Sequence, residues 1–397
     1  MSAPAPGGGR PALATCAAAA FLLLVLALPS SIAPMGIAAG SCGVLTVVLW
    51  LTTPGPKWPR NPVELPALGW LLALAVASVF AEDPRASFTR VSKGLFPALV
   101  GLSAFHAAAR RAGERAVACL LVAAALGSAF GLWLWAAKDA GEAARARGLA
   151  GHYMTFAGQL LLFTSLAAGI AATTSDRRWR LGALASGALG CAALAATFTR
   201  SAWLGLVVAL GIVLGMTRPR WLLALGALVA LLVAFGPASF RERAASAFDP
   251  RHPTNVERTH MWDAGLRMFR DHPITGVGLQ DLRAIYDRYR APAARERAGH
   301  LHSVPIHVAA TTGIVGLLAF TWLYVSLVRA ASSGLKAGAR AGGVAAGVRL
   351  GVTAGLAGFL IAGLFEWNFG DEELLYPLYT LAGLAWAARR WSEDPTR

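Results

Sequence analysis

The chain has 397 residues, of which 56% are hydrophobic and only 14% are charged. Soluble domains carry about 25% charged residues, so this composition excludes an ordinary soluble protein. The apolar residues come in blocks long enough to cross a hydrocarbon core of ~30 Å, which takes about 20 helical residues. The net charge of +15 could suggest nucleic acid. However, the basic residues lie between the apolar blocks, where they orient membrane helices. We therefore predict a polytopic all-α membrane protein with no nucleic-acid partner.

Twelve apolar segments predict twelve transmembrane helices. They lie at 13–30, 33–52, 63–81, 94–109, 116–136, 152–173, 181–198, 201–216, 221–237, 304–328, 350–366 and 374–390. This divides the chain into nine helices in residues 1–236, a polar loop in 237–303, and three helices with a short tail in 304–397. An even number of spans puts both termini on one side. The short connections on that side hold 14 basic residues against 7 on the other. Lys and Arg mark the cytoplasmic side, so we expect both termini and the tail to be cytoplasmic and the loop to be outside.

The loop is longer than an unstructured connection usually is, so we expect it to be folded and functional. Within it, "NVERTHMWDAGLRMFRDHP" has helical spacing, with apolar residues at Met261, Ala264, Leu266, Met268 and Phe269. A proline and a glycine turn follow in "PITGVG". These features predict an amphipathic helix on the outer face of the membrane.

Several arginines lie on the outer side, where positive charge has no role in orientation. Arg200 lies in "ATFTRSAWLGL", between two apolar blocks, and an ionisable residue at membrane depth is a functional candidate. The alternative is an arginine that caps the preceding helix and extends to the interface. Arg258 lies at the start of the predicted loop helix, where its alternative is a solvated surface of mixed charge.

A second basic group, Arg90 and Lys93, could bind an anion or pair with Glu82 and Asp83. Further candidate substrate contacts lie at other outer helix ends and near the loop. These are Arg147, His152, His260 and His300.

The segment "GHLHSVPIHV" contains three of the eight histidines of the chain and precedes an apolar helix. Ser303 is a favourable N-cap for that helix, and Pro305 is tolerated in its first turn. His302 would then lie at the positive end of the helix, which favours neutral imidazole. A neutral imidazole can accept a proton from a hydroxyl nucleophile. The alternative is a histidine that only satisfies a loop carbonyl.

His300 and His302 are two residues apart and could bind a metal with His260 or His307. The chain has no HExxH motif and no D-x-D pair, so we favour the general base and expect no metal. It also has no Walker or Rossmann motif, so we expect no nucleotide cofactor. The energy of the reaction must then come from an activated donor. A lipid-linked diphosphate sugar fits a site with arginines at the edge of the bilayer.

Three stretches together resemble the O-antigen ligase and polymerase (Wzy_C) superfamily: "FTRSAWLGL", "NVERTHMWDAGLRMFRDHPITGVGLQDL" and "HLHSVPIHVAATTGIVGL". The resemblance covers about residues 70–390 and is most specific over 190–330. Its motifs here are Thr199-Arg200, Arg258 with Trp262, Pro273 to Gly278, and His302 with Gly313. The family often has Asn where Ser303 stands, and a further glycine and an aromatic where Leu279 and Gln280 stand.

The resemblance implies a membrane-embedded glycosyltransferase of the GT-C type in the bacterial inner membrane, acting in lipopolysaccharide biosynthesis. Such ligases transfer a glycan from undecaprenyl diphosphate to lipid A–core on the periplasmic face, without metal or nucleotide. By matching position, His302 would deprotonate the acceptor, and Arg200 and Arg258 would bind the diphosphate. A single displacement would invert the anomeric centre.

Relatives with the same motifs leave two alternatives open, a polysaccharide polymerase and a protein O-oligosaccharyltransferase. A transporter is a third, because glycine-rich helices pack closely and can rearrange. A transporter would place charges near the bilayer midplane. Here the polar groups gather on one face, which favours an enzyme.

Overall fold

The computed structural model describes residues 9–53, 58–137, 145–335 and 342–391, and within these ranges it contains helices and no β-strand. The α-helices of the first half are α1 Gly9–Ala27, α2 Ile32–Thr52, α3 Glu64–Val79, α4 Pro84–Phe88, α5 Ala98–His106, α6 Arg110–Ala136, α7 Tyr153–Thr173 and α8 Arg177–Ala196. Those of the second half are α9 Arg200–Thr217, α10 Trp221–Phe235, α11 Ala238–Ala245, α12 Pro253–Asp271, α13 Arg283–Tyr289, α14 Val304–Ser332, α15 Gly343–Gly363 and α16 Glu372–Trp391.

Seven of the described helices are long and apolar enough to cross a membrane: α2, α6, α7, α8, α9, α14 and α15. The count becomes eight if α10 and α11, which meet at 107°, form one broken span. Helices α1 and α3 are apolar but shorter. Helix α5 has nine residues, which rise only about 14 Å. The protein is thus a polytopic helical membrane protein, while the number twelve stays a prediction. The predicted tail, 392–397, and the basic residues Lys57, Lys336 and Arg340 lie outside the described residues.

The connections of the helices gather at two ends of the molecule. At one end, Lys93 donates to the carbonyl of Gly370, and Thr155 donates to Asp371 (2.7 Å). We call this the loop end. It comprises the connections 28–31, 80–97, 145–152, 197–199, 236–303 and 364–371. At the opposite end the indole of Trp391 donates to the carbonyl of Ala107 (2.8 Å).

The loop 237–303 builds a small apolar core of its own. Met261, Ala264 and Met268 of α12 are buried against Tyr286 of α13 and Leu301. The apolar side of α12, which we expected on the membrane face, is therefore covered by protein. Two residues differ from the predicted apolar side, since Leu266 is exposed and Phe269 is half-buried.

The loop is attached to α14 at a break in that helix. Gly313 lies inside α14 with φ 62° and ψ −161°, a conformation essentially restricted to glycine. The turn 273–278 fills this break. The amides of Val277 and Gly278 donate to Ala310 and Thr311, and the amide of Ile314 donates to Pro273. The turn thus replaces helical hydrogen bonds that the break removes, and it fixes α12 beside the start of α14.

Candidate functional site

His302 lies immediately before α14 in a strained backbone conformation. Its φ is 45°, in the left-handed region that few non-glycine residues adopt. Pro305 lies in the first turn of the helix, as the sequence suggested. Ser303 occupies the N-cap position, as the sequence suggested, but its side chain makes no capping hydrogen bond. The carbonyl of Ser303 instead accepts the amide of His307 at 2.8 Å.

A buried carboxylate orients the imidazole of His302. Nδ1 of His302 lies 2.8 Å from Oε1 of Glu366, whose side chain is only 10% exposed. Burial alone would raise the pKa of Glu366, but the hydrogen bond and charge of His302 and the charge of Arg258 outweigh it, so this pKa is lowered. An ionised carboxylate can only accept, so Nδ1 carries the hydrogen. In the neutral ring, Nε2 is then free to accept a proton.

Glu366 also connects the histidine to Arg258. Nη2 of Arg258 lies 3.4 Å from Oε2 of Glu366, and the Arg258 side chain is 18% exposed. Arg258 is therefore not part of the solvated surface that was its alternative interpretation. The backbone amide of Trp367 donates to Oε1 of the same carboxylate at 3.1 Å. Arg258, Glu366 and His302 thus form one continuous chain of polar contacts.

Arg200 is the first residue of α9, and its guanidinium is held by the loop. It donates to the carbonyl of Ser246 (2.5 Å), to the hydroxyl of Thr254 (3.0 Å) and to Oδ1 of Asn255 (2.9 Å). All of these acceptors are neutral, so they orient the guanidinium without cancelling its charge.

Two further arginines lie near Arg200 and Arg258. Arg145 and Arg258 are close enough to Arg200 for their positive charges to repel its own. Arg243 is repelled in the same way by Arg145, Arg200 and Arg258. We call these four residues the arginine cluster. Within the described ranges, Arg258 is the one member that forms an ion pair with a carboxylate. Uncompensated positive charge at a partly buried position suits a ligand with several negative charges.

Backbone strain occurs at this site and at no other non-glycine position of the described chain. The described non-glycine residues with positive φ are His302 and Phe198, and φ of Phe198 is 50°. The turn at Phe198 aims its carbonyl at Nε of Arg243 (3.1 Å) and precedes Arg200 by two residues. Strained conformations persist where surrounding structure holds them, and they cluster at functional sites.

His300 packs on His302, with ring centroids 4.2 Å apart. Burial and the neighbouring His302 lower the pKa of His300 to about 4, so it is neutral at pH 7. Ligand atoms of His300, His302 and Glu366 lie within 4.8 Å of one another, a spacing that could hold a metal ion. The third member of this set is Glu366, and neither His260 nor His307, the partners considered for a metal alternative, belongs to it.

The remaining candidates lie around this centre. Arg90 and Lys93 line a cavity next to His300. They do not pair with Glu82 and Asp83, as one alternative proposed: Glu82 pairs with Arg288, and Asp83 accepts the amide of Ala86.

Arg147 is exposed, and no contact links it to the cluster. His152 is exposed at the start of α7, with its ring against Tyr153. Arg145 also lies over the Tyr153 ring, with its Cζ 4.4 Å from the ring centroid.

Sequence reasoning missed Glu366, Arg145 and Arg243. Glu366 fell at the end of a predicted apolar span, although an acid in "LFEWNFGDEE" beside a candidate histidine helix was a signal. In the "RARG" stretch, Arg147 was a candidate from the sequence and Arg145 was not. Arg243 was one of several charges in "FRERAASAF", where spacing does not distinguish it.

Comparison with known proteins gives one family match. The family model described as O-antigen ligase matches residues 185–321. This range includes Arg200, Arg258 and His302 and ends before Glu366. No curated protein gives a significant match to the chain.

Proposed function

We propose that this chain, which its match over residues 185–321 places in the O-antigen ligase and polymerase superfamily, is an O-antigen ligase. It would transfer a glycan from undecaprenyl diphosphate to lipid A–core at the periplasmic face of the inner membrane. The observation that carries the proposal is the contact chain Arg258–Glu366–His302, which joins a cluster of arginines to an oriented histidine.

The arginine cluster would hold the diphosphate. Guanidinium groups bind phosphate oxygens through paired hydrogen bonds, and their charge stabilises the negative charge that grows on the leaving group. Nε2 of His302 would accept the proton of the acceptor hydroxyl. The hydroxyl oxygen would bond to the anomeric carbon as the bond to the diphosphate breaks. The diphosphate would leave with the electron pair, and the anomeric configuration would invert.

Glu366 would position the histidine and stabilise the imidazolium that forms when Nε2 takes up the proton, as the carboxylate does in Ser-His-Asp enzymes. The proton and the negative charge of the leaving group appear in one step. His302 would take up the proton, and Arg258 would stabilise the negative charge on the leaving group. Glu366 contacts both residues and would couple the two events.

The test is glycan transfer by purified protein in lipid, given undecaprenyl-diphosphate glycan and lipid A–core without added metal. Glycan on lipid A–core is the expected product, and His302→Ala should abolish it in protein that is still folded and inserted. Arg200→Ala should raise the KM for the donor about tenfold or more, because a hydrogen bond to a charged group is lost. Arg267→Ala is the matched control, since Arg267 lies exposed on α12 and its ion-pair partner among the described residues is Asp263.

Three results would contradict the proposal. Lengthened donor chains without labelled lipid A–core would indicate a polymerase. Transfer that survives in His302→Ala would remove the proposed base. An unchanged donor KM in both Arg200→Ala and Arg258→Ala would remove the arginines from the donor site.

A further inference from the structure

A cavity of about 200 Å³ adjoins the proposed base on the side of His300. Its lining includes Lys93, His300, His307, Trp367 and Asp371. No member of the arginine cluster is among its lining residues. His302 does not line the cavity, but its ring contacts that of His300 in the cavity wall, and Glu366 links His302 to Arg258 of the cluster.

The size and the lining of this cavity narrow the class of ligand. Pockets for drug-sized ligands have volumes of about 300–1,000 Å³, so this one suits a single ring rather than a long lipid chain or an oligosaccharide. The ring of Trp367 lies against that of His307, with centroids 3.9 Å apart and planes tilted by 35°, and both residues line the cavity. An aromatic face packs well against the C–H surface of a sugar ring.

The polar groups of the wall offer both donors and acceptors. Burial raises the pKa of Asp371, although the hydrogen bond from Thr155 opposes this, and its other oxygen can accept from a ligand. Burial lowers the pKa of Lys93, whose ammonium donates to the carbonyl of Gly370. Nδ1 of His300 and Nδ1 of His307 are both buried without a hydrogen-bond partner among the described residues.

We propose that this cavity holds the acceptor sugar, with Asp371 receiving hydroxyl hydrogen bonds and Trp367 covering one face of the ring. This inference rests on the proposed function. The acceptor is favoured over the first donor sugar because the donor is attached to the diphosphate, and the lining includes Arg90 but no member of the arginine cluster. A nucleophile must also approach the anomeric carbon from the side opposite the leaving group. His302 contacts His300 of the cavity wall and is linked to the cluster through Glu366, so it would lie close to the attacking hydroxyl.

The test compares KM values for the two substrates in separate concentration series. Asp371→Asn and Trp367→Leu should each raise the KM for lipid A–core about tenfold, while the KM for the undecaprenyl-diphosphate donor stays within about twofold. Asp281→Asn is the control, because Asp281 is an exposed carboxylate of the loop that pairs with Arg283. A rise in the donor KM instead would assign the cavity to the donor sugar and overturn the inference. Unchanged values for both substrates in both variants would overturn it as well.

A second measurement separates this inference from the proposed function. Lipid-free core oligosaccharide is added to the His302→Ala protein, and saturation-transfer NMR detects binding without turnover. We expect binding that Asp371→Asn weakens. Binding to the His302→Ala protein, together with no transfer to lipid A–core by the wild type, would retain the cavity and reject the ligase. Transfer by the wild type without any effect of Asp371→Asn on binding would retain the ligase and reject the cavity.

Discussion

The contacts of Glu366 determine what His302 can do. A histidine at the end of a membrane helix can serve as a base only if one ring nitrogen has a free lone pair. The bond from Nδ1 to Glu366 fixes the tautomer in which Nε2 is that atom. Glu366 is in turn kept ionised by His302 and Arg258. The reactivity of one residue thus depends on a partner 64 positions away in the sequence.

Glu366→Gln should lower kcat about 10²- to 10⁴-fold while the KM values of both substrates stay within a few-fold. The amide can donate to Nδ1, which selects the other tautomer and places a hydrogen on Nε2. Steady-state kinetics with both substrates varied would measure this, alongside the Tm of each variant. Glu366→Asp should retain more activity, because a carboxylate remains. A fall in Tm with a parallel rise in both KM values would instead indicate a purely structural role.

The candidate site could be predicted from the sequence only in part. Arg200, Arg258 and His302 could be predicted because an ionisable residue at the edge of an apolar block is costly to bury, which makes it a functional candidate. Glu366 could not be connected to His302, because that contact depends on how α15 packs beside α14. The choice between Arg145 and Arg147 depends on which side of a short turn faces inward, and spacing in an irregular segment does not reveal it. Helix positions were predictable because each long apolar block must satisfy its backbone within one helix.

At the scale of elements, the broken helix α14 and the turn 273–278 position the two halves of the site. Arg258 is on α12, which ends just before this turn, and His302 directly precedes α14. Gly276 has φ 69°, and a Cβ there would lie 2.3 Å from the backbone of Thr311. The two glycines thus permit a close backbone approach that no side chain would allow. This explains in physical terms why a glycine turn and a helix glycine occur together in the sequence.

Gly313→Ala should therefore lower the free energy of unfolding by about 2 kcal/mol or more, because the alanine would adopt a strained conformation. Its Cβ would also lie 2.2 Å from the carbonyl oxygen of Ile274, which would push the turn out of the break. Thermal unfolding of the purified protein in lipid, together with glycan transfer, would measure the effect. Gly211→Ala in α9 is the matched control, because nothing lies within 4 Å of its Cβ position. Equal Tm values for the two variants would show that the break tolerates a side chain.

At the scale of the whole molecule, the candidate site and the basic residues of the short connections lie at different ends. The arginine cluster, Glu366 and His302 are at the loop end, where the two longest connections, 80–97 and 236–303, carry acids as well as bases. The opposite end carries basic residues at the starts of α6 and α8 and between α9 and α10. These are Arg110, Arg111, Arg115, Arg177, Arg178, Arg180, Arg218 and Arg220. Basic residues in short connections mark the cytoplasmic side. We therefore infer that the loop end faces the periplasm, which is where a lipid-linked glycan donor and a lipid acceptor would both be presented.

This orientation can be tested by labelling single cysteines in spheroplasts with a membrane-impermeant maleimide. In a background with the four native cysteines replaced by alanine, Arg251→Cys should be labelled in intact spheroplasts, because Arg251 is exposed in the loop. Arg111→Cys, exposed at the start of α6, should be labelled only after lysis. Neither residue contacts the candidate site, so both variants should keep transfer activity and report on functional protein. The reverse labelling pattern would place the site in the cytoplasm, where the positive charge of the arginine cluster would need no ligand to explain it.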